Sequence, residues 1–285
     1  MSRSGKNRRF ADQRTHNHES TSRGATQDAG PTEAILFGVN PVIEALKAGK
    51  RPIQEITIVE GARPDRLREL MDLARHAAIP IHRVPRIDLD RQINLAKHQG
   101  VVARIAAAKY ADADALLLQL QQKLGTEDPP FVICLDGIED PRNMGSIIRT
   151  AECAGLHGVF VPERRATGLT EVVAKVAAGA LEYVPVARVT NLARLIEQLK
   201  ERNIWVVGAA GDASLSYTDW DWSLPVALFV GSEGHGLHRL VRERCDALVR
   251  IPVSGHLQSL NVSVATGVIV FEILRQRSLR RIGGG

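Results

Sequence analysis

The chain has 285 residues, 44% of them hydrophobic, and a formal net charge of +5, enough apolar material to core one large or two modest domains. Its longest apolar runs, 226–230 and 268–274, fall far short of the roughly 20 residues a bilayer helix needs, and no charged-then-apolar leader opens it, so the expectation is a cytoplasmic protein without a membrane partner. Cys134, Cys153 and Cys245 are odd in number, with no CxxC pair and no nearby His at ligand spacing, which argues against a disulfide framework or a zinc site and for reduced core thiols.

Residues 1–33 mix Arg3, Lys6, Arg8, Arg9, Arg14 and Arg23 with Ser, Thr, Asn, Gln and His and almost nothing apolar. They read as a disordered basic extension, either an arm attracted to nucleic acid or a solvated tail. A small α/β domain is expected over 34–108: a helix opened by Asn40-Pro41 and closed by Gly49, a strand over 53–59, an Arg-rich amphipathic helix over 64–77, and strands over 79–84 and 100–106. The acidic and Gln-rich stretch 109–130, helical in pattern and ending in two prolines, reads as a linker. From 131 to 285, strands over 131–135, 158–161, 183–189, 204–207, 227–230 and 247–251 alternate with helices over 145–154, 170–178, 192–202, a short one from 237, and a long one over 261–277. Such alternation indicates an α/β fold with a mostly parallel sheet covered on both faces.

Ligands of open α/β sheets bind beyond the carboxyl ends of the strands, and three polar clusters are expected there. In LDGIEDPRNMGSIIRTA (135–151), Asp140-Pro141 forces a turn, Asn143 can cap the following helix and Arg149 lies within it; taken alone, a cap and a solvated side chain account for both. In LFVGSEGHGL (228–237), three glycines follow a strand directly. Their order is not the dinucleotide GxGxxG and no P-loop Lys is near, so a nucleotide-phosphate site is disfavoured. In IPVSGHLQSLNVSVA (251–265), Ser259 or Asn261 can cap a helix that is apolar nearly all round, which calls for burial on every side, in the core or at a subunit interface.

In order and spacing, the motifs DPRNMGSIIRTA, FVGSEGHGL and IPVSGHLQSLNVSVA resemble those of the SpoU-type (TrmH-like) RNA ribose 2′-O-methyltransferases. HQGVVAR (98–104), KVAAGALEYVPVARVTNLARL and NIWVVGAAGD are similar to the RlmB-type branch, which methylates a guanosine ribose in 23S rRNA. The likeness spans residues 36–277. It implies a catalytic domain with a deep carboxyl-terminal trefoil knot of the SPOUT kind, an exception to unknotted connection, preceded by a ribosomal-protein-like RNA-binding module in a homodimer. It implies S-adenosyl-L-methionine as cofactor, held largely through backbone groups of Gly231, Ile251 and Leu260, and a reaction centre of Asn143, Arg149, Glu233, Ser259 and Asn261 with no metal. Arg149 is then essential, either as an unusually perturbed base or as a grip on a substrate phosphate while another group takes the proton, since a guanidinium is otherwise always protonated. Val253 stands where the family commonly has Met, and Ala178 where it often has another small residue. The alternatives are a SpoU-type enzyme acting on an adenosine ribose, as in thiostrepton resistance, a non-catalytic rRNA assembly factor, and, more remotely, a nicotinamide-dependent oxidoreductase.

Overall fold

The computed structural model describes residues 33–92, 98–257 and 259–283. Except for Glu33, the expected basic extension lies outside them. The first sheet carries β1 (Glu33–Phe37), α1 (Val39–Ala48), β2 (Ile53–Val59), α2 (Pro64–His76), β3 (Ile81–Val84), α3 (Arg86–Gln92) and β4 (Val101–Ala106), with strand order β1-β4-β2-β3. Strand β4 runs antiparallel to both its neighbours, while β2 and β3 are parallel. Alternating strand residues such as Ile56, Ile58, Val101, Ala103 and Ile105 bury one face against Val42 of α1 and Leu67 and Leu70 of α2, the period-2 pattern meeting a period-3.6 one.

The second sheet is built from α4 (Ala113–Gln122), β5 (Phe131–Asp136), α5 (Pro141–Cys153), β6 (Gly158–Pro162), α6 (Glu171–Ala177), a 3₁₀ turn (Ala180–Glu182), β7 (Val186–Val189), α7 (Leu192–Glu201), β8 (Trp205–Ala209), β9 (Leu215–Ser216), β10 (Val226–Gly231), α8 (Arg239–Arg244), β11 (Ala247–Arg250) and α9 (Val262–Gly283). Its order is β7-β6-β5-β10-β8-β11-β9, and every pairing is parallel. Strands β5 and β10 are buried at every position, because both faces are covered: Met144, Ile147, Val173, Ile269 and Ile273 pack on one side, Leu116, Leu195, Leu199 and Val241 on the other.

Several sequence expectations change. The stretch 109–130 is no free linker: Ala111 bridges to Ala187, and α4 buries Leu116, Leu117 and Leu120 against the second sheet, since a leucine triplet on one helix face is stable only when covered. The strand expected from 183 begins at Val186, the preceding residues being taken by the 3₁₀ turn. Helix α5 starts at Pro141, four residues earlier than expected, because Asp140 is its cap and accepts from Arg142 N at 2.8 Å. Of the cysteines, Cys134 is buried, Cys245 intermediate and Cys153, at the end of α5, exposed.

The small sheet is docked on the larger one. Arg51 pairs with Glu182, whose side chain is only 1% exposed, and Tyr183 Oη donates to Glu44 at 2.8 Å. Lys175 lies 4.3 Å above the Phe37 ring. The small domain's cationic surface is partly neutralised: Arg68, Arg75, Arg86 and Arg104 lie within ion-pair distance of Asp65, Asp72, Asp90 and Glu55.

Candidate active site

Parallel pairing places the carboxyl ends of β5, β10, β8 and β11 along one edge. From β5 the chain turns at Asp136 and Gly137, whose φ of +76° favours glycine. From β10 it enters a tight loop closed by mutual hydrogen bonds of Ser232 and Gly236. A Cβ on Gly231 would lie 2.0 Å from the Gly236 carbonyl carbon and 2.3 Å from Leu237 N, so the closeness of the loop to its own strand is what requires glycine there. From β11 the chain runs through Ile251 to Asn261, whose side-chain oxygen accepts from Ser263 N at 3.0 Å and from Ser263 Oγ at 2.6 Å, capping α9.

Three of the expected centre residues meet here from three separate loops. Asn143 Nδ2 donates to Glu233 Oε1 at 3.0 Å. Asn261 Nδ2 donates both to the same oxygen and, at 3.0 Å, to Asn143 Oδ1. Val262 N adds a bond to Glu233 Oε1 at 3.3 Å. Asn143 is therefore no helix cap: Asp140 takes that role, which leaves the Asn143 amide free to turn inward, where it is buried. All the bonds to Glu233 among the described residues fall on Oε1, and Glu233 lines a cavity of about 490 Å³ together with Gly137, Glu139, Asp140, Asn143, Arg165 and His238 among others.

The other two centre residues are not drawn into this cluster. Arg149 is exposed on α5, and Ser259 is exposed just before Asn261; neither makes a side-chain hydrogen bond among the described residues. Of the expected cofactor contacts, Gly231 is buried, Ile251 half-buried and Leu260 exposed. Exposed Val253 and Leu257 add to Ile251 and Leu260 further apolar side chains in the segment that leaves β11.

Sequence reasoning missed Asp136, Arg165 and His238. Asp136 is buried and its two oxygens accept from His238 N at 2.7 Å and from His238 Nδ1 at 2.8 Å, while Arg165 Nη1 donates to His238 Nε2 at 3.1 Å. A buried acid at a strand end was the available signal; its partner His238 comes from a loop 102 residues further on, and Arg165, which bonds His238, from one 29 residues on, and no local pattern announces them.

An open parallel sheet with an Asn–Glu–Asn cluster over its carboxyl edge defines the class: an α/β protein whose ligand site lies beyond the ends of its central strands. Residues 130–271 match the SpoU rRNA methylase family, and residues 35–111 match the substrate-binding domain of RNA 2′-O ribose methyltransferases. The Bacillus subtilis protein YacO, assigned by name to the TrmH family of tRNA/rRNA methyltransferases, is 44% identical over 85% of this chain and 96% of its own. The SpoU methyltransferase AviRb of Streptomyces viridochromogenes, solved with AdoMet, is 26% identical with a TM-score of 0.70 over 87% of this chain and 92% of that one. An AdoMet-bound rRNA methyltransferase of Sinorhizobium meliloti is 26% identical with a TM-score of 0.69, covering 86% and 87%. The chain belongs to the SpoU/TrmH family of RNA methyltransferases.

Proposed function

We propose that this protein transfers a methyl group from S-adenosyl-L-methionine to the ribose 2′-hydroxyl of a guanosine in 23S rRNA, acting as a cytoplasmic homodimer. The observation that carries this reading is the convergence of Asn143, Glu233 and Asn261 from three distant loops beside a polar cavity. The cofactor reading is supported by the AdoMet-bound relatives and the RNA reading by the substrate-binding match over residues 35–111. In that small domain Arg63 and Arg83 have no carboxylate partner among the described residues and are the phosphate contacts most available. The family's knot is part of the reading, with α9 returning under β5 and β10 as its final tucked segment.

Gly231, Ile251 and Leu260 hold the cofactor through backbone groups and apolar contact. When bound, it supplies a methyl carbon made electrophilic by an adjoining sulfonium. Glu233, fixed through Oε1 by three donors, has Oε2 left to accept the hydrogen bond of the ribose hydroxyl and to take its proton, so that the oxygen would be the nucleophile toward the methyl group and the cofactor would leave as a neutral thioether. Asn143 and Asn261 set the carboxylate's orientation. Arg149, exposed in the single chain, supplies positive charge to the RNA backbone beside the target rather than a base, and Ser259 hydrogen-bonds the ribose.

Two measurements test this. Purified protein with labelled S-adenosyl-L-methionine and unmodified 23S rRNA transcripts should place one methyl group on a guanosine ribose, located by nuclease digestion and mass spectrometry; a base-methylated product, or transfer to tRNA alone, would overturn the assignment. Arg149→Ala should lower transfer by about a hundredfold or more while cofactor affinity stays within about threefold; near-normal turnover would remove Arg149 from the site.

A further inference from the structure

The cavity beside Glu233 carries an unusual mixture. Glu139, Asp140 and Glu233 line it together with a single cation among its lining residues, Arg165. A pocket so acidic repels a phosphate, yet it offers both hydrogen-bond acceptors and a guanidinium. Asp140 is already engaged at the α5 N-terminus, which leaves Glu139 as an exposed acceptor.

Arg165 is held in place rather than left to wander. Its Nη1 bond to His238 Nε2 requires that nitrogen to be the acceptor, so the ring proton sits on Nδ1 and points at Asp136 Oδ1. Asp136 is buried and its second oxygen is taken by His238 N. The His238 ring lies against Gly137, where a Cβ would stand 3.2 Å from His238 Cε1. Arg165 itself adopts φ +59°, an uncommon conformation for a residue with a side chain and one that clusters at functional sites. Among the described residues it has no carboxylate partner, and the remaining guanidinium N–H groups are unclaimed.

We propose that this cavity receives the base of the target nucleotide and that Arg165 reads guanine, donating in parallel to O6 and N7, with His238 and Asp136 as positioning residues behind it. The inference rests on the ribose-methylation reading above and adds the determinant of base choice. Guanine presents two adjacent acceptors on that edge, whereas adenine presents an acceptor beside a donor and so leaves one Arg N–H opposed by another. Guanine's opposite edge carries only donors beyond O6, at N1 and N2, and matches the acceptor-only carboxylate of Glu139. A cation and an acid lining one nucleoside-sized space are complementary to this base, and a pyrimidine lacks the paired O6 and N7 acceptors.

The experiment uses the full-length protein and a short RNA spanning the methylated position, made by ligation with guanosine, 7-deazaguanosine, inosine or adenosine at that single site. The wild-type protein should lose about tenfold or more in kcat/KM on 7-deazaguanosine, which lacks the N7 acceptor, and more on adenosine. Arg165→Ala should be about tenfold slower on guanosine and indifferent to the 7-deaza change, with unaltered affinity for S-adenosyl-L-methionine. His238→Ala should raise KM rather than lower kcat, and should add nothing in the Arg165→Ala background.

Equal 7-deaza sensitivity in wild type and Arg165→Ala would refute the base contact, as would weakened cofactor binding in the variant. A reduced salt dependence of RNA binding with unchanged base preference would make Arg165 a phosphate contact instead. A full His238→Ala effect in the Arg165→Ala background would refute the positioning role. Should the wild type methylate an adenosine ribose at its mapped site, the guanine inference falls while ribose methylation stands; should it methylate no ribose, both fall.

Discussion

Asn143 uses both ends of its amide within the cluster, donating to Glu233 and accepting from Asn261. Asn143→Ala therefore releases one side of the Glu233 carboxylate and leaves Asn261 short of a partner. The expected result is a fall in methyl transfer of about a hundredfold with cofactor affinity within about threefold, because preorganised polar groups act mainly on the transition state; single-turnover kinetics beside calorimetric titration read both. Glu233→Gln is the sharper probe: the side chain keeps its shape but loses the carboxylate proposed to accept the proton, and activity retained within a few-fold would move the proton acceptor elsewhere.

At the scale of elements, α9 secures the sheet it packs on. Arg277 is buried and its guanidinium donates to four carbonyls: Trp222 at 3.0 Å, Pro129 at 2.7 Å, Pro130 at 3.1 Å and Leu224 at 2.9 Å. These lie at the entries of β5 and β10, the two strands that carry Asp136 and Gly231. Burial lowers its pKa to about 10, still far above neutrality. Arg277→Ala should destabilise by about 3–5 kcal/mol, since four buried acceptors lose their donor at once; urea denaturation followed by circular dichroism measures it.

A second fastening responds to pH. His157 Nδ1 accepts from Phe131 N at 3.0 Å and its Nε2 bonds Asp128 at 3.0 Å. Burial lowers the His157 pKa from 6.5, while Asp128, although burial opposes it, is held down to about 2 by hydrogen bonds from Lys123 and His157. A folded His157 binds its proton less readily than an unfolded one, so its contribution is complete above about pH 6.5 and declines as pH falls toward the folded value. Asp128 adds a further loss below about pH 4 that continues down to about 2. Thermal midpoints should fall between about pH 7 and 5 in the wild type and do so less in His157→Gln.

For the whole molecule, the exposed side of α9 is the largest open question of packing. Val262, Thr266, Ile269, Val270 and Ile273 face inward, whereas Val264 and Phe271 are both 52% exposed and continue toward exposed Leu257 and Leu260 of the preceding loop. A second subunit covering this face would bury these apolar side chains and bring Arg149, on the helix packed beside α9, out of bulk solvent. Phe271→Asp should give monomers by light scattering, with native secondary structure and strongly reduced methyl transfer; a wild type that is monomeric and fully active would refute the shared interface.

What the sequence determined by itself was whatever is written locally or by type. Continuous apolar runs marked β5 and β10, amphipathic periods marked α2 and α7, and the three motif loops, through their resemblance to a known family, marked Asn143, Glu233 and Asn261. Helix and strand periodicity and loop chemistry depend on neighbours a few residues apart, and these are visible in one dimension. The tertiary structure alone decided that Asp140 rather than Asn143 caps α5, because the capping geometry depends on how the chain leaves β5. It decided that α4 belongs to the second sheet, that Arg51 and Glu182 join two sheets across 131 residues, and that Arg165 and His238 stand behind one another over Asp136. Each of these is a pairing of side chains distant in sequence, fixed by the order in which parallel strands are laid side by side, and no spacing along the chain encodes that order.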